Sequence, residues 1–114
     1  MQLTLQHGYP DYVGRRFLFC GSGKGPASYV NTGTQSTSGD PLALPRFDNY
    51  IDAITTGGNQ SVSGTYYYHA QSSGPGPRAT WVLRYFVTST NAEVANGVNL
   101  SAETFVVGGF GGDY

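Results

Sequence analysis

The sequence predicts an all-β fold, either an antiparallel β-sandwich or a jelly-roll-like barrel. From Thr80 to Thr88, side chains alternate between two faces with the period of a β-strand. A tyrosine-rich run from Thr65 to Ala70 precedes this strand, and glycine and proline are frequent from Ser72 to Pro77. Because proline lacks an N–H and glycine is flexible, the intervening segment predicts a long hairpin loop.

The second strand of this hairpin carries apolar residues on both faces. One face is expected in the core: Trp81, Leu83, Tyr85 and Val87. The other face carries Val82 and Phe86 beside Arg84, and we group Tyr66 and Tyr68 of the first strand with it. Since large apolar side chains are rarely left as a broad exposed patch, this second face is predicted to meet another sheet or another subunit.

The N-terminal part of the chain predicts an edge element followed by a strand. Residues 1–8 alternate polar and apolar side chains, which fits either a short edge strand or an arm laid on a neighbouring subunit. After a turn at Gly8 to Asp11, the segment Tyr12 to Cys20 predicts a strand with both faces buried. Arg15 and Arg16 are expected at its solvated start, and Cys20 is expected to be a buried thiol.

The glycine-rich segment Gly21 to Pro26 does not predict a phosphate loop. Such a loop needs G-x-x-x-x-G-K-[ST] at the start of a helix, whereas here glycine and proline follow Lys24. The next residues, Ala27 to Val30, predict a strand. Residues 31–45 are rich in serine, threonine and glycine and predict a long loop that contacts a partner.

The remaining segments predict two further strands and a tail. Asn49 to Thr55 favours a strand, with a helix as the alternative because its apolar residues also fit a helical period. Asn91 to Leu100 is expected to form one helical turn or a loose loop with a turn at Asn96 and Gly97. Ser101 to Val107 predicts a closing strand. Residues 108–114 predict a glycine-rich tail whose aromatic residues either plug pockets or fray.

Length and composition predict one domain, residues 1–114, that works in an assembly. Charged residues are 11% of the chain, against about 25% in typical domains. A subunit can leave its surface to tyrosine, serine, threonine and glycine, so association is the simpler interpretation. A net charge of −1 with scattered basic residues argues against nucleic acid as a partner. With no apolar run of membrane-spanning length and no signal-peptide pattern, we expect a cytoplasmic product that needs no membrane.

The sequence offers no convincing catalytic or cofactor site. His7, His69 and Cys20 lack the paired spacing of metal ligands, and no nucleophile elbow is present. Asp48 and Asp52 resemble a glycosidase carboxylate pair, but aspartate is also common beside turns. We therefore expect a protein that is not an enzyme and binds no cofactor or metal. Five aromatic residues could alternatively form a carbohydrate-binding surface, although core and interface packing is the favoured explanation for them: Tyr66, Tyr67, Tyr68, Trp81 and Tyr85.

The order of turn residues and strands resembles small capsid cement or decoration proteins of tailed bacteriophages. The resemblance rests on Tyr29 to Gly33, Asp40 to Leu42 and Tyr50 to Ile54, followed by the tyrosine-rich hairpin. It implies a non-enzymatic virion protein on the capsid exterior, a homodimer or homotrimer that bridges major capsid proteins. A tail or fibre component is the alternative within the virion. The residues expected at interfaces are Leu3, Leu5, Tyr66, Tyr68, Val82, Phe86, Phe110 and Tyr114.

Overall fold

The protein is an all-β sandwich of two antiparallel sheets. The computed structural model describes residues 1–6, 8–43, 50–54, 58–72 and 80–112, without the side chains of Val13, Tyr50 and Asp52. Within these ranges there is one short 3-10 turn, Gln35–Thr37, and no sheet closes into a barrel. The sandwich prediction is therefore confirmed, and the barrel alternative is not supported.

Eight strands are found in the described residues. The large sheet contains β1 (Thr4–Leu5), β2 (Asp11–Val13), β3 (Arg16–Lys24), β5 (Tyr50–Ile54) and β8 (Thr104–Gly112). The small sheet contains β4 (Asp40–Pro41), β6 (Tyr66–Ser72) and β7 (Trp81–Val87). In the large sheet the order is β1-β3-β8-β5, with β2 also paired to β3, and in the small sheet it is β4-β7-β6.

Aromatic residues from both sheets form the core between them. The ring centroid of Tyr85 on β7 lies 4.7 Å from that of Phe105 on β8, and Tyr68 on β6 lies 6.0 Å from the same ring. Trp81 adds a polar link, because its indole N–H donates a 2.8 Å hydrogen bond to the carbonyl of Ile51 in the large sheet. Aromatic pairs of this kind stabilise a core beyond the area they bury.

The predicted hairpin is confirmed, but the grouping of its faces was wrong for the first strand. Tyr66 pairs with Val87 and Tyr68 pairs with Tyr85. Since directly paired residues share a face of a sheet, Tyr66 and Tyr68 point to the core and not to the face of Val82. Tyr68 is only 3% exposed. A one-residue difference in register moves every side chain to the other face, and sequence alternation alone does not fix the register.

Of the two alternatives for residues 1–8, the short edge strand is found as β1, and the arm was wrong, since residues 1–6 are part of the domain. Leu3 is 1% exposed, and its N–H donates to the carbonyl of Ala43 at 3.0 Å. The ammonium of Met1 is buried, lies 2.6 Å from a carboxylate oxygen of Asp40 and also contacts the carbonyl of Pro41. The phenolic O–H of Tyr85 donates to the other Asp40 oxygen at 2.8 Å. Asp40 therefore has the partners that a buried carboxylate requires.

The C-terminal tail prediction was also wrong, because Gly108 to Gly112 belong to β8. This strand lies between β3 and β5 in the large sheet. At Gly109 a Cβ atom would lie 2.1 Å from the carbonyl oxygen of Ala53, so only glycine lets β5 approach so closely. Gly109, one of the glycines that suggest a tail in the sequence, is thus required for strand pairing.

Two further strand predictions changed in the structure. The expected strand Tyr12 to Cys20 is a β2–β3 hairpin that turns at Gly14 with a φ of 62°, and β3 continues through the glycine-rich segment to Lys24. The prediction that both faces of this strand are buried was wrong, because Phe17 and Phe19 are buried whereas Leu18 is exposed. Ala27 to Val30 is not a strand, although Tyr29 is fully buried.

The segment predicted as a partner-contacting loop is folded onto the domain over its described part, residues 31–43. Ser38 is buried and its hydroxyl donates to the carbonyl of Thr34 at 2.8 Å. The strand prediction near Tyr50 to Ile54 is confirmed and the helix alternative was wrong there. Asn91 to Leu100 contains no helix, and Gly97 forms the expected turn with a φ of 87°. Predictions for His7, residues 44–49, residues 73–79 and Tyr114 fall outside the described residues.

Candidate interaction surface

The sandwich has two outer faces, one on each sheet, and they are the surfaces available for partners. The small outer face is formed by alternate residues of β6 and β7. Its members are Tyr67, His69, Gln71, Val82, Arg84 and Phe86. The large outer face is formed by alternate residues of β3 and β8 between Arg16 and Lys24. Its members are Leu18, Cys20, Ser22, Val106, Gly108 and Phe110.

The aromatic residues of the small outer face cover one another. The rings of Tyr67 and Phe86 stack at 5.3 Å between centroids with an interplanar angle of 16°. His69 lies edge-on to Phe86 at 5.1 Å, and the guanidinium of Arg84 lies 5.2 Å from the same ring. Phe86 is the centre of the cluster, and these contacts leave it half-buried without any partner.

An ion pair and a buried tyrosine hold this face to the core. A guanidinium nitrogen of Arg84 lies 2.5 Å from one carboxylate oxygen of Glu93, and both side chains are 16% exposed. The other Glu93 oxygen accepts a 2.7 Å hydrogen bond from the phenolic O–H of Tyr29. Burial, reinforced by that hydrogen bond to Glu93, raises the pKa of Tyr29 well above its usual value. Tyr29 is therefore a proton donor held in place, not an acid that ionises near neutral pH.

The large outer face exposes its apolar side chains. Leu18 is 52% exposed, and Val106 and Phe110 are each 40% exposed. Leu18 and Phe110 are direct cross-strand partners, so they form one continuous apolar patch across β3 and β8. On this face of β3 the charged residues are Arg16 and Lys24 at its two ends, and on β2 the exposed Asp11 is the cross-strand partner of Leu18 on the side away from Phe110.

An open cleft of about 740 Å³ lies on the large outer face. Leu18, Cys20 and Val106 line it, Gly108 lies between them, and Tyr9 lies at its side with 40% exposure. Asn59 and Gln60 complete the opposite rim. Cys20 is half-buried in this cleft, so the expectation of a buried thiol was wrong. The cleft is apolar in the middle and polar at its rim, as interaction surfaces usually are.

The structure distributes the predicted interface residues over three places. Leu3 and Tyr68 are in the core, and the half-buried Leu5 and Tyr66 pack against it. These four residues were predicted at an interface, but they belong to the core side of the sandwich. Val82 and Phe86 lie on the small outer face, Phe110 lies on the large outer face, and Tyr114 is outside the described residues. Only Phe110 of this set is both described and clearly exposed.

Sequence reasoning missed Leu18, Val106 and Tyr9. The signal for Leu18 was present, since Arg16, Leu18, Cys20, Ser22 and Lys24 share one strand face that begins and ends with a cation. Both charged ends should be solvated, and this identifies the intervening face as the outer one. Val106 was missed because Ser101 to Val107 was predicted only as a closing strand, without assigning its residues to an inner or an outer face.

The described residues contain no other site with evident chemistry. Within them, no three His, Cys, Asp or Glu side chains lie close enough to hold a metal ion. Asp48 and the side chain of Asp52 fall outside the description, so the carboxylate pair stays a prediction. In the described part of the chain, no helix has the length and apolar character needed to cross a membrane.

Comparison with known proteins found no matching family model, no matching curated protein and no matching solved structure.

Proposed function

We propose that this protein is a non-enzymatic structural subunit of a phage virion, a capsid cement or decoration protein that bridges major capsid proteins on the head. The observation that carries this proposal is the apolar patch of Leu18, Val106 and Phe110, which the single chain leaves open. A continuous apolar patch with a polar rim is typical of a surface that is covered in an assembly.

The low charge of the chain supports the same proposal. With 11% charged residues, copies held side by side on a shell repel one another little. Each contact can be weak, because repetition over the shell multiplies modest contacts through effective concentration. A sandwich with a well-packed aromatic core supplies the rigidity that such a bridge needs.

The direct test is co-sedimentation of the protein with expanded shells assembled from the major capsid protein encoded beside it. We expect saturable binding at a fixed ratio to the capsid protein, with bound shells that resist heating better than bare shells. Leu18→Asp places a charge in the patch and should abolish binding, whereas Val30→Glu places a charge on a similarly exposed residue away from the patch and serves as the control. The proposal fails if a folded protein does not sediment with the shells, or if its gene lies outside a set of virion genes.

The carbohydrate-binding alternative has weaker support from the same faces. Of the five aromatic residues on which it rests, only Tyr67 lies on an outer face, and its ring is stacked on Phe86. A sugar platform needs an open ring face. Glycan-array screening with the folded protein separates the two functions, because the virion proposal expects no glycan binding. A tail or fibre position is separated by imaging the particle.

A further inference from the structure

The two central strands of the large outer face carry an uncharged stretch between two cations, and the exposed Asp11 of β2 lies beside Leu18 at the edge of this stretch. On β3 the outward positions run from Arg16 through Leu18, Cys20 and Ser22 to Lys24, and on β8 their cross-strand partners run from Gly112 to Thr104. We propose that this face is a two-fold interface at which two copies of the chain stack their large sheets. The proposed contact joins two copies of this chain and is independent of whether the protein binds a capsid.

Charge decides how two such faces can meet. Aligned sheets can be related by a two-fold axis that runs either across the strands or along them. An axis across the strands, centred at Cys20, places Arg16 of one copy over Lys24 of the other, which is a repulsive contact. An axis along the strands, between β3 and β8, places β3 of one copy over β8 of the other. Arg16 then lies over Gly112 and Lys24 over Thr104, so no cation meets a cation.

The second arrangement also matches side-chain size. Leu18 pairs with Phe110 within the chain, and Cys20 pairs with Gly108. When β3 lies over β8 of the other copy, Leu18 meets the other copy's Phe110, and Cys20 meets the other copy's Gly108. Two large apolar residues thus face each other beside the cleft, while the thiol lies over a residue without a side chain. Charge and size favour the same axis, so a second copy is the occupant that fits this face.

The area of the face is sufficient for a weak dimer. β3 and β8 each have nine residues, which is about 30 Å at about 3.3 Å per residue. These two strands together are about 10 Å wide, and β1, β2 and β5 add only two, three and five residues beside them, so each copy contributes a footprint of roughly 450 Å². The total of roughly 900 Å² lies below the roughly 1,200 Å² of standard specific interfaces and in the range of weak, transient ones. We therefore expect dissociation in about the micromolar range.

Sedimentation velocity over the micromolar range tests the dimer with the full chain. We expect the unmodified chain to shift from monomer to dimer as its concentration rises. Leu18→Asp and Phe110→Lys each place a charge in the apolar centre and should leave monomers, whereas Val30→Glu should dimerise like the unmodified chain. Far-ultraviolet circular dichroism establishes that each variant is folded. A folded chain that stays monomeric at all concentrations, or charged variants that still dimerise, would overturn the proposal.

Mixing the two charged variants tests the axis itself. In an equal mixture of the Leu18→Asp chain and the Phe110→Lys chain, the stacked arrangement brings the introduced carboxylate to the introduced ammonium. The other contact of that dimer keeps its original leucine and phenylalanine, so dimerisation should return. With the axis across the strands, Leu18 would lie over Ser22 and mixing would restore nothing. A mixture that stays monomeric therefore contradicts the proposed interface.

The dimer and the capsid proposal can fail separately. A chain that dimerises through this face but does not bind shells refutes the proposed function and leaves the interface standing. A chain that binds shells as a monomer refutes the interface alone.

Discussion

The two outer faces of the sandwich differ in how their apolar residues are covered. On the small outer face, Phe86 is covered by Tyr67, His69 and Arg84 of the same chain, and Glu93 holds Arg84 in place. On the large outer face, Leu18 and Phe110 have no such cover and remain exposed. The difference indicates that the small outer face serves the stability of the single chain, whereas the large outer face is available to a partner.

The strongest test of the large sheet is Gly109→Ala. Its new Cβ would lie 2.1 Å from the carbonyl oxygen of Ala53, which belongs to the backbone of β5 and cannot move aside alone. We expect a loss of about 3 kcal/mol in the free energy of unfolding, measured by chemical denaturation. Gly58→Ala is the matched control, because a Cβ there meets nothing within 4 Å. Equal stability of the two variants would show that β5 is not paired as described.

Glu93→Gln tests how the small outer face is held to the core. The substitution removes the charge that pairs with Arg84 and leaves a largely buried cation without its counter-ion. We expect a loss of about 2 kcal/mol, reduced from the value of a fully buried pair because both side chains keep some solvent contact. Glu103→Gln, which alters a solvent-exposed hydrogen bond to Ser63, should cost far less. If both variants lose a similar amount of stability, the Arg84–Glu93 ion pair does not hold the small outer face to the core as described.

Alkaline pH should weaken the anchoring of the small outer face through Tyr29. Its pKa is raised in the folded state above the usual 10.0, so the folded chain keeps this proton while the unfolded chain releases it. Stability is unaffected below about pH 10 and falls as pH rises beyond it, by up to about 1.4 kcal/mol per pH unit for this group. Tyr29→Phe should flatten that fall in denaturation curves. An unchanged slope in the variant would contradict the assignment.

The direct comparison of the two faces is Phe86→Ala against Leu18→Ala. The substitution at Phe86 removes ring contacts with side chains of the same chain, so we expect about 1.5 kcal/mol of destabilisation. Leu18 is 52% exposed, and its truncation should cost about 0.5 kcal/mol. Both are measured at low concentration, where association adds nothing to stability. If the two variants lose equal stability, or if Leu18→Ala loses more, the two outer faces do not differ in how their apolar residues are covered.

The sequence predicted the fold class and the central hairpin because both depend on local alternation and turn residues. Prediction failed for segments whose structure depends on pairing with residues distant in the sequence. Gly108 to Gly112 were interpreted as a tail, since nothing local shows that Gly109 must accommodate β5. Leu3 was predicted at an interface, in either an edge strand or an arm, because its contacts with Ala43 and the core join distant parts of the chain and leave no local signal.

The interaction surface was predicted less well than the fold. Tyr66 and Tyr68 were assigned to the outer side, because alternation defines two faces but does not tell which face of β6 matches which face of β7. Phe110, predicted as an interface residue in a tail, is exposed and lies in a strand. Leu18 could have been found from the cations Arg16 and Lys24 that share its face.

The most direct test of the large outer face as a contact surface is the alkylation rate of Cys20 as a function of protein concentration. Cys20 lies in the cleft of this face, where a second copy would cover it. We predict that the rate constant falls several-fold as the concentration passes through the micromolar range, and that it stays constant for Phe110→Lys. A rate constant for the unmodified chain that does not change with concentration would contradict the account.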